Sequence, residues 1–137
     1  MANEMTRPIP TVKSYDTLQE LLLDKGLASL GDAYVNFAYS LAMSQRRGHP
    51  IGAKVNNQIL AEAVEKSGLR KFLPHRVDKH TRGNAAEALL IFAWLQDKQQ
   101  LEDCIKTLGK AEDDPVQAFA ILLHNTLKRL GVEHEQK

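Results

Sequence analysis

The chain has 137 residues, of which 43% are hydrophobic and 26% are charged, a composition that suits one ordinary domain with a core large enough to fold unaided. The net charge is +1, the longest apolar runs are too short to span a bilayer, and the first residues lack the apolar stretch of a secretion signal. A single cysteine, Cys104, excludes an internal disulfide and a cysteine-based zinc site, and we expect a soluble cytoplasmic protein.

The apolar pattern predicts an irregular N-terminal arm over 1–13 and one helical domain over 14–137. Beyond the arm, apolar residues recur at the spacing of helical turns, and no segment alternates apolar and polar residues as a half-buried strand would. The predicted helices run over about 14–23, 27–45, 55–67, 84–96, 101–108 and 115–130. The last of them is apolar over two faces, which indicates a helix that is central in the bundle or shared with another subunit. The predicted fold class is all-α.

Two predicted boundaries bear on function. Gly26 is predicted to end the first helix, and the fourth helix is predicted to open near Asn84. The stretch Arg70–Arg82 is then a loop with five lysine or arginine residues against one acid, Asp78. A basic loop on an otherwise acidic domain favours a polyanionic partner, although an ordinary solvated loop is the simpler explanation of this charge taken alone.

Two acidic residues occupy positions in the predicted helices at which a carboxylate is unusual. Gly31 and Asp32 lie inside the second predicted helix, where glycine costs on the order of 1 kcal/mol relative to alanine. Glu87 shares a helix face with large apolar residues, and an ionised carboxylate there is unfavourable unless it is paired or bound to metal. Two explanations remain open. In the structural one, the acids find buried partners such as Arg82 or Lys54 or lie at the rim of the apolar stripe; in the functional one, both point into a shared pocket and coordinate a hard divalent cation.

Three strings, in this order, resemble the motifs of the ribonuclease III family. Leu30-Gly31-Asp32-Ala33 resembles the signature that supplies a metal-binding aspartate, and Asn57-Gln58-Ile59-Leu60-Ala61 resembles the Asn-x-x-Leu-Ala helix. Ala86-Glu87-Ala88-Leu89-Leu90 resembles the segment that supplies an essential glutamate. Order, spacing and helical context agree across about residues 24–97. The match is closest to Mini-ribonuclease III and the small archaeal ribonuclease III-like proteins, which consist of the catalytic domain without a separate double-stranded-RNA-binding domain.

The resemblance implies a metal-dependent endoribonuclease, a hydrolase that cleaves double-stranded or hairpin RNA and leaves 5′-phosphate and 3′-hydroxyl ends. It also implies a homodimer whose two sites cut the two strands. Mg²⁺, for which Mn²⁺ substitutes, would be held by Asp32 and Glu87, with Asn84 as a further oxygen ligand one turn before Glu87. The residues expected to contact RNA are Lys79, Arg82, Arg76, Lys54 and His80.

Two positions depart from the family pattern. Standard bacterial enzymes carry an acid one turn before the signature aspartate and another one turn before the glutamate, whereas this chain has Ala28 and Asn84. Mini-ribonuclease III also lacks the first acid, and an asparagine still offers a carbonyl oxygen to a metal or to a water. The departures, with the near-neutral charge, leave open an inactive relative that binds RNA or a ribonucleoprotein. The broad apolar surface of the last predicted helix leaves open a helical interaction protein unrelated to RNA.

Overall fold

The computed structural model describes residues 14–110 and 113–132, so the predicted arm over 1–13 lies outside the described residues. Within these two ranges the chain is helical and contains no strand, which confirms the predicted all-α class. The elements are α1 (Leu18–Leu22), α2 (Lys25–Arg47), α3 (Asn57–Ser67), a 3₁₀ turn (Leu69–Phe72), α4 (Lys79–Leu95), α5 (Leu101–Lys110) and α6 (Pro115–Arg129). None of these helices combines the length and the apolar character needed to cross a membrane.

The start of α2 differs from the prediction because Asp24 caps this helix. The Asp24 Oδ1 accepts a hydrogen bond from the Leu27 N–H at 3.1 Å, which satisfies one of the free donors of the first turn. Gly26 therefore lies inside α2, and the prediction that it ends the preceding helix is wrong. The short α1 is capped by Thr17, so it begins a few residues later than the predicted start near residue 14.

The start of α4 differs for the same reason. The Asp78 side chain accepts a hydrogen bond from the Thr81 N–H at 2.8 Å, and α4 begins at Lys79 rather than near Asn84. The prediction that Lys79 and Arg82 lie in a loop before the helix is wrong, because both belong to its first turns. Hydrogen bonds from Thr81 lower the pKa of Asp78, so the capping carboxylate stays ionised at the positive end of the helix dipole.

Helix α4 forms the centre of the bundle. Every residue from Ala85 to Ile91 is buried, and α1, α2, α3 and α6 all pack against this helix. Helix α6 buries side chains on two faces, Phe119 among them, against α3, α4 and α5. Its broad apolar arc is thus covered largely within the chain, although Ile121 remains 41% exposed.

The backbones of α2 and α4 touch at Gly31. A Cβ atom on this residue would overlap the carbonyl oxygen of Glu87, so the two helices lie this close only because the position is glycine. The contact explains why a poor helix former stands in the middle of α2. It also brings Asp32, the next residue, beside the Glu87 turn of α4.

Candidate active site

Helices α2 and α4 place the two predicted acids in one open cleft of about 820 Å³. Asp32 is exposed on its wall, whereas Glu87 is only 6% exposed. Helix α2 contributes Lys25, Ala28, Ser29 and Asp32 to the lining. The remaining lining residues come from the starts of α3 and α4 and the segments before them: Val55, Asn57, Asp78, His80, Thr81, Asn84 and Glu87.

The two carboxyl groups interact directly. Burial, together with a hydrogen bond to Asp32 and the negative charge of Asp32, raises the pKa of Glu87 to about 8. Glu87 therefore tends to keep its proton at neutral pH unless a cation enters the cleft. Among residues 14–110 and 113–132, no lysine or arginine forms an ion pair with either acid.

The partners that the sequence suggested for a purely structural pair lie elsewhere. The Arg82 Nε atom is 3.3 Å from the Glu65 carboxylate, and its NH1 group donates to the Val77 carbonyl at 2.9 Å. Lys54 is exposed and does not line the cleft. The explanation that Arg82 or Lys54 neutralises the two acids is therefore wrong.

The oxygen donors of the cleft match the preferences of a hard divalent cation. Two carboxylates and the amide of the partly buried Asn84 converge on one space, and Asn84 and Glu87 share a face of α4. Asn36 donates to the Asp32 carboxylate at 3.4 Å while its carbonyl accepts from the Val55 N–H at 2.8 Å, which orients Asp32. The part of the chain that the structure describes holds no group of three or more His, Cys, Asp or Glu residues that could bind a metal. A cation here would take its remaining ligands from Asn84, water and substrate.

The residues predicted to contact RNA do not all lie together. His80 lines the cleft, and Lys79 stands next to it at the start of α4, where its Nζ donates to Gln58 Oε1 at 3.0 Å. Arg76 is exposed but, like Lys54, is not part of the cleft lining. Arg82 points to Glu65 and helps to hold the segment before α4. Of the five predicted residues, the structure therefore places only His80 in the cleft lining with the acids; Lys79 is its neighbour in the chain, and the other three lie outside the lining.

Several cleft residues were missed from the sequence. Lys25, Ser29 and Asp32 lie at positions i, i+4 and i+7 of α2 and share one face. The misplaced helix start hid this pattern, because Lys25 was assigned to the region before the helix. Thr81 carries no local signal of its own, and Asn57 belongs to the Asn-x-x-Leu-Ala string without being predicted as a site residue, since their place in the cleft depends on how α3 packs against α4.

The fold and the cleft together define a helical domain in which two facing helices present a coupled pair of carboxyl groups to solvent. A family model described as Ribonuclease III matches residues 25–132, from the start of α2 to beyond the end of α6. The chain belongs to the ribonuclease III family, and membership supports a ribonuclease as its class of function. No curated protein matches the chain.

Proposed function

We propose that this chain is a metal-dependent endoribonuclease that hydrolyses phosphodiester bonds in double-stranded or structured RNA and leaves 5′-phosphate and 3′-hydroxyl ends. The observation that carries the proposal is the Asp32–Glu87 pair, which lies in an open cleft without a neutralising lysine or arginine ion pair among the described residues. A buried pair of acids with a purely structural role is expected to have such a partner. A pair of metal ligands needs none, because the bound cation neutralises the two carboxylates.

Mg²⁺ is the proposed cofactor, with Mn²⁺ as a substitute, and Asp32, Glu87 and Asn84 are its proposed ligands. When bound, the ion supplies a Lewis acid that lowers the pKa of water and offsets the negative charge that develops on the phosphate. The chain itself does three things for this chemistry. Glu87 would hold the ion as a carboxylate, its proton passing to solvent, while Asn36 orients Asp32 and the contact at Gly31 sets the spacing of the two acids.

RNA is the proposed substrate, and the polar groups around the cleft suit its backbone. A duplex of RNA is recognised mainly through phosphate and 2′-hydroxyl contacts across its shallow minor groove. His80 lines the cleft and its chain neighbour Lys79 is exposed beside it at the start of α4, so both can offer donors to such groups. Lys54 and Arg76 remain proposed contacts for more distant phosphates, and Arg82 acts through its hold on the segment before α4. A cytoplasmic location remains a prediction.

A homodimer is the proposed assembly, and α2 offers a surface for it. Leu30 is 44% exposed and Phe37 is 54% exposed, with the exposed Ala33 between them, so the three form a stripe along one side of α2. This stripe runs beside Gly31 and Asp32. A second copy packed on the same stripe about a two-fold axis would bring the two clefts near each other, as cutting both strands of a duplex requires.

The second candidate function is an inactive, RNA- or ribonucleoprotein-binding relative. The observation in its favour is that the cleft offers few charged ligands to a metal ion. The cleft wall has the buried Ala28, which offers no ligand, and the neutral Asn84, where another acid would increase the negative charge. An inactive module would bind RNA equally well with and without Mg²⁺. The binding would weaken steeply with salt, as phosphate contacts do.

Cleavage of an end-labelled RNA duplex separates these functions. The unaltered protein in Mg²⁺ is expected to produce fragments with 5′-phosphate ends, and EDTA is expected to stop the reaction. Asp32→Asn and Glu87→Gln should each lower the rate by at least about a hundredfold, because each removes a charged ligand at nearly constant shape. Glu102→Gln is the matched control, since Glu102 is exposed on α5 outside the cleft. Equal rates for all four proteins would refute the nuclease proposal.

A further inference from the structure

Two neighbouring residues at the start of α3 contact two neighbouring residues at the start of α4. The Asn57 Nδ2 atom is 3.1 Å from His80 Nδ1, and the Lys79 Nζ donates to Gln58 Oε1 at 3.0 Å. Asn57 and His80 line the cleft, and Gln58 and Lys79 are their immediate neighbours in the chain. They join the first turn of one helix to the first turn of the other.

Asn57 is held in place from two sides. A Cβ atom on Gly83 would overlap the Asn57 Oδ1, so the amide group fits against α4 only because this position is glycine. The other end of the same amide faces the His80 ring. Asn57 is therefore a fixed contact between Gly83 and His80.

The Asn57 contact determines which His80 nitrogen faces outward as a donor. An amide NH₂ group donates and does not accept, so the His80 Nδ1 that faces it must accept. The ring proton is then on Nε2, which is left to donate to another group. Lys79 differs, because its ammonium group has three N–H donors and the contact with Gln58 uses one of them. The result is an imidazole N–H donor beside an ammonium donor.

We propose that Asn57 and Gln58 are positioning residues, which aim His80 Nε2–H and the Lys79 ammonium at phosphate oxygens of an RNA backbone lying across the cleft. The inference rests on the proposed function and adds to it two positioning residues and a different role for each of the two donors. Lys79 neutralises a phosphate, whereas His80 donates a hydrogen bond without changing the charge of the site. Both donors lose their direction when the amide behind them is removed.

The salt dependence of RNA binding distinguishes the two donors. The binding of a fluorescent RNA hairpin is measured by anisotropy over a range of salt concentrations, in the Glu87→Gln protein, which is expected to bind without cleaving. Lys79→Ala should weaken binding and reduce the slope of log K against log salt by roughly 0.9, the change for one phosphate contact. His80→Ala should weaken binding by about tenfold with the slope unchanged, because a neutral donor releases no counterion. His80→Gln, which keeps a neutral N–H donor, should recover part of the loss.

Double-mutant cycles test the two positioning residues. Asn57→Ala and His80→Ala should be clearly non-additive in Kd, and so should Gln58→Ala and Lys79→Ala, because each amide acts only through its partner. Asn57→Ser provides a second, smaller change if Asn57→Ala lowers the melting temperature. The controls Lys106→Ala and His49→Ala alter exposed residues outside the cleft and should change neither Kd nor slope.

Three results would overturn the proposal. The first is additivity within both pairs, which would mean that Asn57 and Gln58 do not act through His80 and Lys79. The second is a slope that falls as much for His80→Ala as for Lys79→Ala, which would mean a charged imidazole. The third is a starting protein that does not bind RNA at all, in which case the proposed function fails as well. Binding that survives in the starting protein and is indifferent to the Asn57 and Gln58 variants refutes the positioning role alone.

Discussion

Replacing Glu87 by glutamine should make the metal-free protein more stable at alkaline pH. The fold buries this carboxyl group beside Asp32, and its pKa rises from an ordinary 4.5 to about 8. A group whose pKa is raised on folding binds more protons in the folded state than in the unfolded state. The contribution of Glu87 to the free energy of unfolding is therefore largest below about pH 4.5 and decreases as pH rises toward about 8.

The size of the effect follows from the two pKa values. At 1.36 kcal/mol for each pH unit, the difference between 4.5 and about 8 corresponds to at most about 5 kcal/mol of lost stability above pH 8. Such a loss is a large fraction of the stability of a domain of this size. Glutamine has nearly the same shape, carries no charge and can donate its amide N–H to Asp32, so the variant should escape the loss.

Urea unfolding in EDTA, followed by circular dichroism from about pH 4 to about pH 9, measures this directly. Glu87→Gln and the unaltered protein should be similar at the acid end, and the variant should become progressively more stable toward the alkaline end. Glu102→Gln, which changes an exposed acid, should show no such pH-dependent difference. A stability difference that stays constant across the range, or an unaltered protein that is the more stable at alkaline pH, would refute the reasoning.

Three further predictions concern the same helices. Gly31→Ala should destabilise the fold by at least about 2 kcal/mol in urea unfolding, because the new Cβ overlaps the Glu87 carbonyl and the helices must separate. Phe37→Glu should convert the proposed dimer to a monomer in light scattering, because dimer formation would bury the new charge in the interface formed by the α2 stripe. Saturating Mg²⁺ should raise the melting temperature of the unaltered protein at mildly alkaline pH by several degrees, and this rise should be largely lost in Asp32→Asn.

Each of these predictions has a control or an outcome that contradicts it. Gly109→Ala, in α5 with open space around the position, should be neutral or slightly stabilising, and equal losses for the two glycines would contradict the contact at Gly31. Ile121→Glu places a charge on an exposed apolar residue of α6 and should leave the dimer intact. A dimer that survives Phe37→Glu would contradict the α2 interface. A Mg²⁺ shift of the same size in Asp32→Asn would place the ion elsewhere.

Several features of the fold and of the site were predictable from local patterns. The helical periodicity predicted the all-α class, and Asp114 followed by Pro115 predicted the start of α6, where the structure has it. The ordered motifs identified Asp32 and Glu87 before any contact between them was known. Both kinds of signal are short-range, because periodicity and capping depend on residues within a few positions of each other.

The predicted helix boundaries that were wrong are those at which more than one residue could serve as the N-cap. Asp24 and Asp78 each capped a helix earlier than predicted, and Gly26 and Asn84 then fell inside helices. The error at α4 changed the placement of Arg82, which belongs to the first turns of the helix rather than to a loop, with its Nε atom 3.3 Å from the Glu65 carboxylate on α3. A cap can be recognised only as one candidate among several until the packing of the helix that follows selects it.

The sequence by itself determined that the chain forms a helical ribonuclease III domain and which two acids its motifs carry. Only the tertiary structure decided that Asp32 and Glu87 share a cleft, that Gly31 lets their helices touch, and that Asn57 lies against His80. The physical reason is distance along the chain. These contacts join residues on different helices, so they depend on how closely whole helices pack, which no local pattern of residues specifies.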